Sequence, residues 1–121
     1  MELLHKDLSE KIIKCFYTVY NELGYGFLEK VYENALCIEL TRNGINFEAQ
    51  KSIKVYYKNE IVGDYIADII LDNKIIIEVK AVSVLNKAHE VQIVNYLKAT
   101  GIKVGLLVNF GEKLDFKRKV F

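Results

Sequence analysis

Apolar residues in the first third of the chain recur every three or four positions, the spacing that one face of an α-helix presents. This pattern predicts two amphipathic helices, at about residues 7–23 and 27–42. Gly24 follows the first helix and Asn43-Gly44 follows the second, and both are typical of helix ends.

After Gly44 the pattern changes to alternation of apolar and polar residues, which predicts β-strands. Alternating runs occupy residues 45–49, 53–57, 61–71 and 74–81. A third helix is expected over about residues 85–100, followed by an apolar strand over residues 102–109. The predicted order is therefore α-α-β-β-β-β-α-β, with the tail KLDFKRKVF as an additional candidate strand. A helix between two apolar strands favours a parallel strand pair, so we expect an α/β fold with a mixed sheet flanked by helices.

Length and composition indicate one globular domain over residues 1–121, with 51% hydrophobic and 27% charged residues. The net charge is +1, so a nucleic-acid partner would be held by local basic patches. No apolar run is long enough for a membrane span, and no signal peptide is recognisable, which predicts a cytoplasmic protein without a membrane partner. Cys15 and Cys37 are expected to be reduced core thiols.

Charged residues interrupt the stretch DYIADIILDNKIIIEVKA, residues 64–81, whose other residues are typical of buried strands. Strict alternation divides its first strand into two faces. One face would carry Asp64, Ile66, Asp68 and Ile70, and the other Tyr65, Ala67, Ile69 and Leu71.

In the second strand of this hairpin, alternation puts Glu78 and Lys80 on a common face. A three-residue turn over residues 72–74 would set Asp68 directly across from Glu78, with their Cβ atoms about 4.5–5.5 Å apart. A two-residue turn would shift the pairing by one position. In the expected register, Asp64 lies at the rim.

Two carboxylates opposed on a sheet repel each other, so a compensating charge is needed. Either the face is solvated and neighbouring lysines pair with the acids, or the acids bind a divalent cation. Oxygen ligands from adjacent strands suit Mg²⁺ or Mn²⁺, and a nearby ammonium could orient a water or stabilise negative charge on a phosphate.

Three motifs carry a resemblance to a known superfamily. Asp68 followed by Glu78-Val79-Lys80 resembles the D…(D/E)xK signature of the PD-(D/E)XK nuclease superfamily. The heptapeptide GFLEKVY, residues 26–32, resembles the GxxExxY motif of a family of small prokaryotic proteins in that superfamily. The segment QIVNY, residues 92–96, is similar to the QxxxY helix motif of RecB-type nucleases. The resemblance extends over about residues 7–120 and implies a restriction-endonuclease-like core.

The resemblance also implies roles for individual residues. The side chains of Asp68 and Glu78, with the backbone carbonyl of Val79, would hold Mg²⁺ or Mn²⁺, and Lys80 would serve the attacking water or the transition state. Glu29 would complete the catalytic set by reaching the metal through water. A glutamate in the first turn of a helix also interacts favourably with the helix dipole, so a purely structural role stays open.

Gln92 and Tyr96 lie four residues apart and share a helix face. The resemblance implies that they lie beside the active site and contact nucleic acid. The alternative is a core tyrosine next to a surface glutamine. Tyr32 likewise has two possible roles, packing the two helices together or contacting the active site. His89 is expected to be structural or solvent-facing.

The leading functional hypothesis is a metal-dependent nuclease that hydrolyses DNA phosphodiesters. The main alternative is a non-catalytic nucleic-acid-binding or assembly module, and a component whose activity needs another chain is also open. The basic tail residues could line an edge strand or contact phosphates; they are Lys113, Lys117, Arg118 and Lys119. Apolar tail residues, expected to be exposed, could support a homodimer; they are Phe116, Val120 and Phe121.

Overall fold

The computed structural model describes residues 4–121 of the chain. Three helices and five strands follow one another as α1 (Lys6–Leu23), α2 (Glu29–Arg42), β1 (Glu48–Tyr57), β2 (Glu60–Leu71), β3 (Ile75–Lys80), α3 (Lys87–Thr100), β4 (Val104–Phe110) and β5 (Leu114–Val120). The strands form one sheet in the order β1-β2-β3-β4-β5. β3 and β4 are parallel, and every other neighbouring pair is antiparallel. The predicted α/β class with a mixed sheet is confirmed.

The predicted order of strands was wrong in one respect. Three strands precede α3 and two follow it, where four and one were expected. The two short runs before residue 58 do not form separate strands, because β1 pairs with β2 continuously from Glu48 to Tyr57 apart from local irregularities. The basic tail forms β5, which pairs with β4 over its whole length.

Helices cover both faces of the sheet, and each face has its own buried cluster. The cluster on the first face joins α1 and α2 to residues such as Ile69, Ile77 and Leu106. The cluster on the second face joins α3 to Ile70 and Ile76, among others. β3, β4 and the last residues of β2 are thus buried on both sides, which explains their nearly continuous apolar sequences.

Gly105 of β4 allows α3 to approach the sheet closely. A Cβ atom at this position would lie 2.9 Å from Cδ1 of Ile93 on α3. α3 itself begins with a capping box in which Asn86 and His89 each bond the other's backbone N–H. His89 is therefore a structural residue, one of its two predicted roles.

The loop between β3 and α3 is held by Asn109 of β4. Its buried side chain accepts a hydrogen bond from the Val82 N–H at 2.9 Å and donates one to the Val82 carbonyl at 2.8 Å. Asn109 lies beside Lys80 in the parallel register, so these bonds fix the chain just after Lys80.

We expect Asn109→Ala to lower the free energy of unfolding by about 1–3 kcal/mol, because both polar groups of Val82 would lose their partner. Urea denaturation of the variant and of the wild type measures this difference. Asn34→Ala, on the exposed side of α2, is the matched control and should change stability by less than about 0.5 kcal/mol. Equal effects of the two substitutions would contradict the structural role of Asn109.

β5 is an edge strand, and two of its charged residues already have protein partners. Lys119 forms an ion pair with Glu90 of α3, and Arg118 donates a hydrogen bond to the carbonyl of Leu4. The expected exposure of Phe116 was wrong, because its ring packs beside Phe16 with centroids 6.1 Å apart. Val120 and Phe121 are exposed as predicted.

No helix in the described part of the chain is long and apolar enough to cross a membrane. Cys15 is buried and Cys37 is partly buried, and both are free thiols, as predicted.

Candidate metal and catalytic site

The β2–β3 hairpin has the register that the three-residue turn predicted. Leu71 pairs with Ile75, and the ladder continues to Ile69 opposite Ile77. The turn residues Asp72 and Asn73 both have positive φ, which Asn and Asp tolerate better than most residues. Continued by one step, this register sets Asp68 across from Glu78.

At Asp68 and Glu78 the regular ladder ends, and side chains replace backbone partners. The Asp68 N–H donates to Oε2 of Glu78 at 2.8 Å, and the Val79 N–H donates to Oδ2 of Asp68 at 2.8 Å. Each carboxylate is therefore anchored through one oxygen. No hydrogen bond within residues 4–121 engages the second oxygen, Oδ1 of Asp68 or Oε1 of Glu78, so both are available to a ligand.

The expected strict alternation of β2 was wrong at this point. Ala67 packs in the α3-side cluster, whereas Ile69 packs in the cluster formed with α1 and α2. Because these residues are two positions apart, regular alternation would put both side chains on the same face of the sheet. Their packing on opposite faces shows that β2 is irregular at Asp68. On β1, Gln50 lies across from Asp68 in the same register and has a φ of 54°. Local irregularities of this kind change the direction in which side chains point. Here the irregularity places the Asp68 carboxylate where β2 passes from packing against one cluster to packing against the other.

Burial perturbs both acids. It is the main cause that raises the pKa of Glu78, which is 2% exposed, to about 8, and the charge of Asp68 adds to it. Burial also raises the pKa of Asp68 to about 6. Because the two groups repel each other in a poorly solvated place, the pair is not fully ionised at neutral pH without a further cation.

Lys80 is the cation that this chain itself supplies. It ends β3, is partly buried, and its charge lowers the pKa of both Asp68 and Glu78 without offsetting burial. Among the ion pairs of residues 4–121, none involves Lys80. Its ammonium is therefore close enough to act on the acids electrostatically while its donors remain free.

A third carboxylate, Glu33 of α2, lies at the site and was missed from the sequence. It is 4% exposed and accepts hydrogen bonds from Gln50 and from Lys30, the latter at 3.4 Å. Its charge contributes to the raised pKa of both Asp68 and Glu78. Its position four residues after Glu29, on the same helix face, was the available signal.

Glu29 is the first residue of α2, and its side chain is exposed. Its charge raises the pKa of Asp68, but less than that of Glu33 does. Glu29 thus lies within electrostatic reach of the acid pair and at the helix N-terminus at once, so both of its predicted interpretations keep support.

Tyr96 and Gln92 are joined on α3, where the Gln92 amide donates to the Tyr96 hydroxyl at 3.0 Å. Tyr96 is 4% exposed, so its ring is part of the core. Burial raises the pKa of Tyr96, and the charge of Glu78 adds to this effect. The hydroxyl therefore lies near the acid pair, while only Gln92 is partly accessible.

Tyr32 has a packing role. Its buried ring stacks on Phe110 with centroids 4.6 Å apart. Its hydroxyl donates to the Gly24 carbonyl at 2.7 Å and accepts from the Phe27 N–H at 3.2 Å. These contacts hold the connection between α1 and α2 and so set where α2 begins. Asp64, by contrast, is exposed and paired with Lys54 at 3.0 Å, at the rim as expected.

The donor set fits a magnesium-type ion. Within residues 4–121, no group of three or more His, Cys, Asp or Glu side chains is arranged to hold a metal. Mg²⁺ is commonly bound by only one or two carboxylates, with water and substrate phosphate oxygens as its other ligands. The free oxygens of Asp68 and Glu78, in a pair whose charge Lys80 offsets only in part, match that requirement.

Comparison with known proteins identifies the class to which this fold and site belong. A family model of the PD-(D/E)XK nuclease superfamily matches residues 6–119, and the chain therefore belongs to this superfamily. The restriction-endonuclease-like fold that the resemblance implied is confirmed. No match was found among the curated proteins.

Among solved structures, the chain is similar to the crystal structure of SSO0001, with 20% sequence identity and a TM-score of 0.62. The match covers 96% of this chain and 59% of that one. At this identity the similarity concerns the fold alone.

Proposed function

We propose that this protein is a metal-dependent nuclease that hydrolyses phosphodiester bonds, with DNA as its substrate. The observation that carries the proposal is the pair of the partly buried Asp68 and the buried Glu78, each with a free oxygen and with Lys80 beside them. The pair occurs in a chain that belongs to a nuclease superfamily.

In this proposal Asp68 and Glu78, together with the backbone carbonyl of Val79, would hold Mg²⁺ or Mn²⁺. A bound divalent ion supplies Lewis-acid stabilisation of the negative charge on the scissile phosphate. Lys80 orients the attacking water through its Nζ donors and stabilises charge that develops on the phosphate oxygens. The hydrogen bonds from the Asp68 and Val79 amides hold both carboxylates in place before substrate arrives.

The remaining residues have supporting roles in the proposal. Glu29 reaches the metal shell through water, and its exposed position at the start of α2 is compatible with this role. Gln92 contacts the nucleic acid, while Tyr96 orders Gln92 through their hydrogen bond. The resemblance of residues 26–32 to GxxExxY and of residues 92–96 to QxxxY supports these assignments. A cytoplasmic setting stays a prediction.

The test is cleavage of labelled single- and double-stranded DNA in Mg²⁺, in Mn²⁺ and in EDTA. We expect metal-dependent cleavage that Lys80→Ala reduces about 100-fold, equivalent to about 2.7 kcal/mol of transition-state stabilisation. Lys74→Ala, in the exposed turn before the same strand, is the control and should leave the rate unchanged.

Two outcomes would reject the nuclease function: no cleavage with either metal, or equal rates for the wild type and Lys80→Ala. DNA binding without cleavage would favour the non-catalytic binding module instead.

A further inference from the structure

A cleft of about 550 Å³ lies between the β1–β2 hairpin and α3, away from the acid pair. Its polar and aromatic lining comes from the two strands and the helix: Lys54, Tyr56, Tyr65, Asn95 and Lys98. Among residues 4–121, no carboxylate lines it. The lining therefore carries two lysines and no acid, although the net charge of the chain is only +1.

Two tyrosine rings in this lining are accessible to a ligand. Tyr56 is 59% exposed and Tyr65 is 42% exposed, which is unusual for side chains with so much apolar area. Aromatic rings between cations are what sequence-independent sites for single-stranded nucleic acids use, because every base can stack on a ring and every phosphate can meet a cation.

The charges of the two lysines differ in availability. Lys54 is paired with Asp64 at 3.0 Å on the exposed side of the hairpin. Lys98 makes no ion pair with any residue in the described part of the chain. Lys98 is therefore the stronger phosphate contact.

The cleft leads toward the proposed catalytic centre. Tyr65 lies against Tyr96, with ring centroids 5.6 Å apart, and precedes Asp68 by three residues on β2. At the rise of an extended strand, this separation is about 10 Å. A polynucleotide bound along the hairpin could thus reach the acid pair without a change in the fold.

We propose that this cleft binds a single-stranded segment of nucleic acid, with bases stacked on Tyr56 and Tyr65 and a phosphate held by Lys98. A duplex is disfavoured, because its bases are already stacked on one another and cannot cover the rings. The direction of the strand toward Asp68 and Glu78 rests on the proposed nuclease function, whereas the binding itself does not.

The experiment measures binding of a short fluorescein-labelled single-stranded oligonucleotide by anisotropy, in EDTA so that no cleavage interferes. We expect Tyr56→Ala to weaken binding about tenfold, within the range of one lost base–aromatic stack, and Tyr56→Phe to retain it. Lys98→Ala should reduce the slope of log affinity against log salt by about 0.7. The controls are Tyr57→Ala, next in the chain but outside the cleft, and Lys14→Ala on α1. The corresponding duplex should bind more weakly than the single strand.

Equal losses for Tyr56→Ala and Tyr57→Ala would overturn the proposal, as would tighter binding of the duplex. If cleft-dependent binding is found without any cleavage, the nuclease function fails and this inference stands. If metal-dependent cleavage is found while neither cleft variant affects binding, the nuclease function stands and this inference fails.

Discussion

Asp68→Asn should lower the rate of metal-dependent cleavage at least about 1,000-fold, a loss of about 4 kcal/mol in transition-state stabilisation. The substitution removes one of the two carboxylates that we propose as ligands of the ion, so affinity for Mn²⁺ should fall together with the rate. Asparagine can still accept the hydrogen bond from the Val79 N–H, so the fold should persist. Calorimetric titration with Mn²⁺ and a cleavage assay measure the two effects, and circular dichroism verifies folding.

Asp72→Asn is the matched control for this substitution. Asp72 lies in the turn that follows the same strand, is exposed, and has a positive φ that asparagine adopts readily. Its variant should keep both metal affinity and cleavage. If Asp68→Asn lost cleavage but bound Mn²⁺ as the wild type does, the assignment of Asp68 as a ligand would be wrong.

Glu78→Gln should stabilise the metal-free protein at pH 8 by about 3–4 kcal/mol. Burial raises the pKa of Glu78 from 4.5 to about 8, so ionising this group in the folded state is costly. Glutamine keeps an oxygen that accepts the Asp68 N–H and carries no charge. The melting temperature in EDTA should rise by about 12–16 °C, and cleavage should be lost.

The pH dependence of this effect has a definite sign. Because the folded-state pKa is raised, the stability associated with Glu78 is fully present below about pH 4.5 and is lost as the pH rises through about 8. The difference between Glu78→Gln and the wild type should therefore vanish near pH 4 and be largest above pH 8. Urea denaturation at several pH values in EDTA measures it. A difference that is the same at pH 4.5 and pH 8.5 would show that the charge of Glu78 is not its cause.

These two predictions describe one property of the site. Asp68 and Glu78 are held in a place where their charges destabilise the fold, with Glu33 adding to the repulsion. The hydrogen bonds from the Val79 and Asp68 N–H groups, and then the charge of Lys80, offset this repulsion in part. Such local destabilisation is common where charged groups are arranged for binding or catalysis, since a ligand of opposite charge then gains affinity.

Part of the candidate site could be predicted because it depends on local sequence. The apolar spacing located all three helices, and the turn over residues 72–74 set Asp68 across from Glu78 in the hairpin register. Neighbouring strands joined by a short turn have few alternative pairings, so their register follows from the turn and the hydrophobic pattern.

Other features of the site depended on contacts that are distant in the sequence. Glu33 looked like an ordinary helix residue, and its burial arises only because α2 packs where Gln50 of β1 can bond it. The irregularity of β2 at Asp68 could not be predicted either, because the alternation of apolar residues in one strand does not show an irregularity in the neighbouring strand. The expectation of an exposed Phe116 failed since the packing of α1 against β5 decided its burial.

Periodicity, turn chemistry and side-chain type act over a few residues. They were enough to predict the class of fold, the hairpin that carries the acids, and Asp68, Glu78 and Lys80 as the candidate centre. Tertiary packing sets how deeply the acids are buried, and therefore how far their pKa values rise. It also decided which helical carboxylate approaches them and where a basic aromatic cleft forms, because burial and proximity are set by elements that meet from distant parts of the chain.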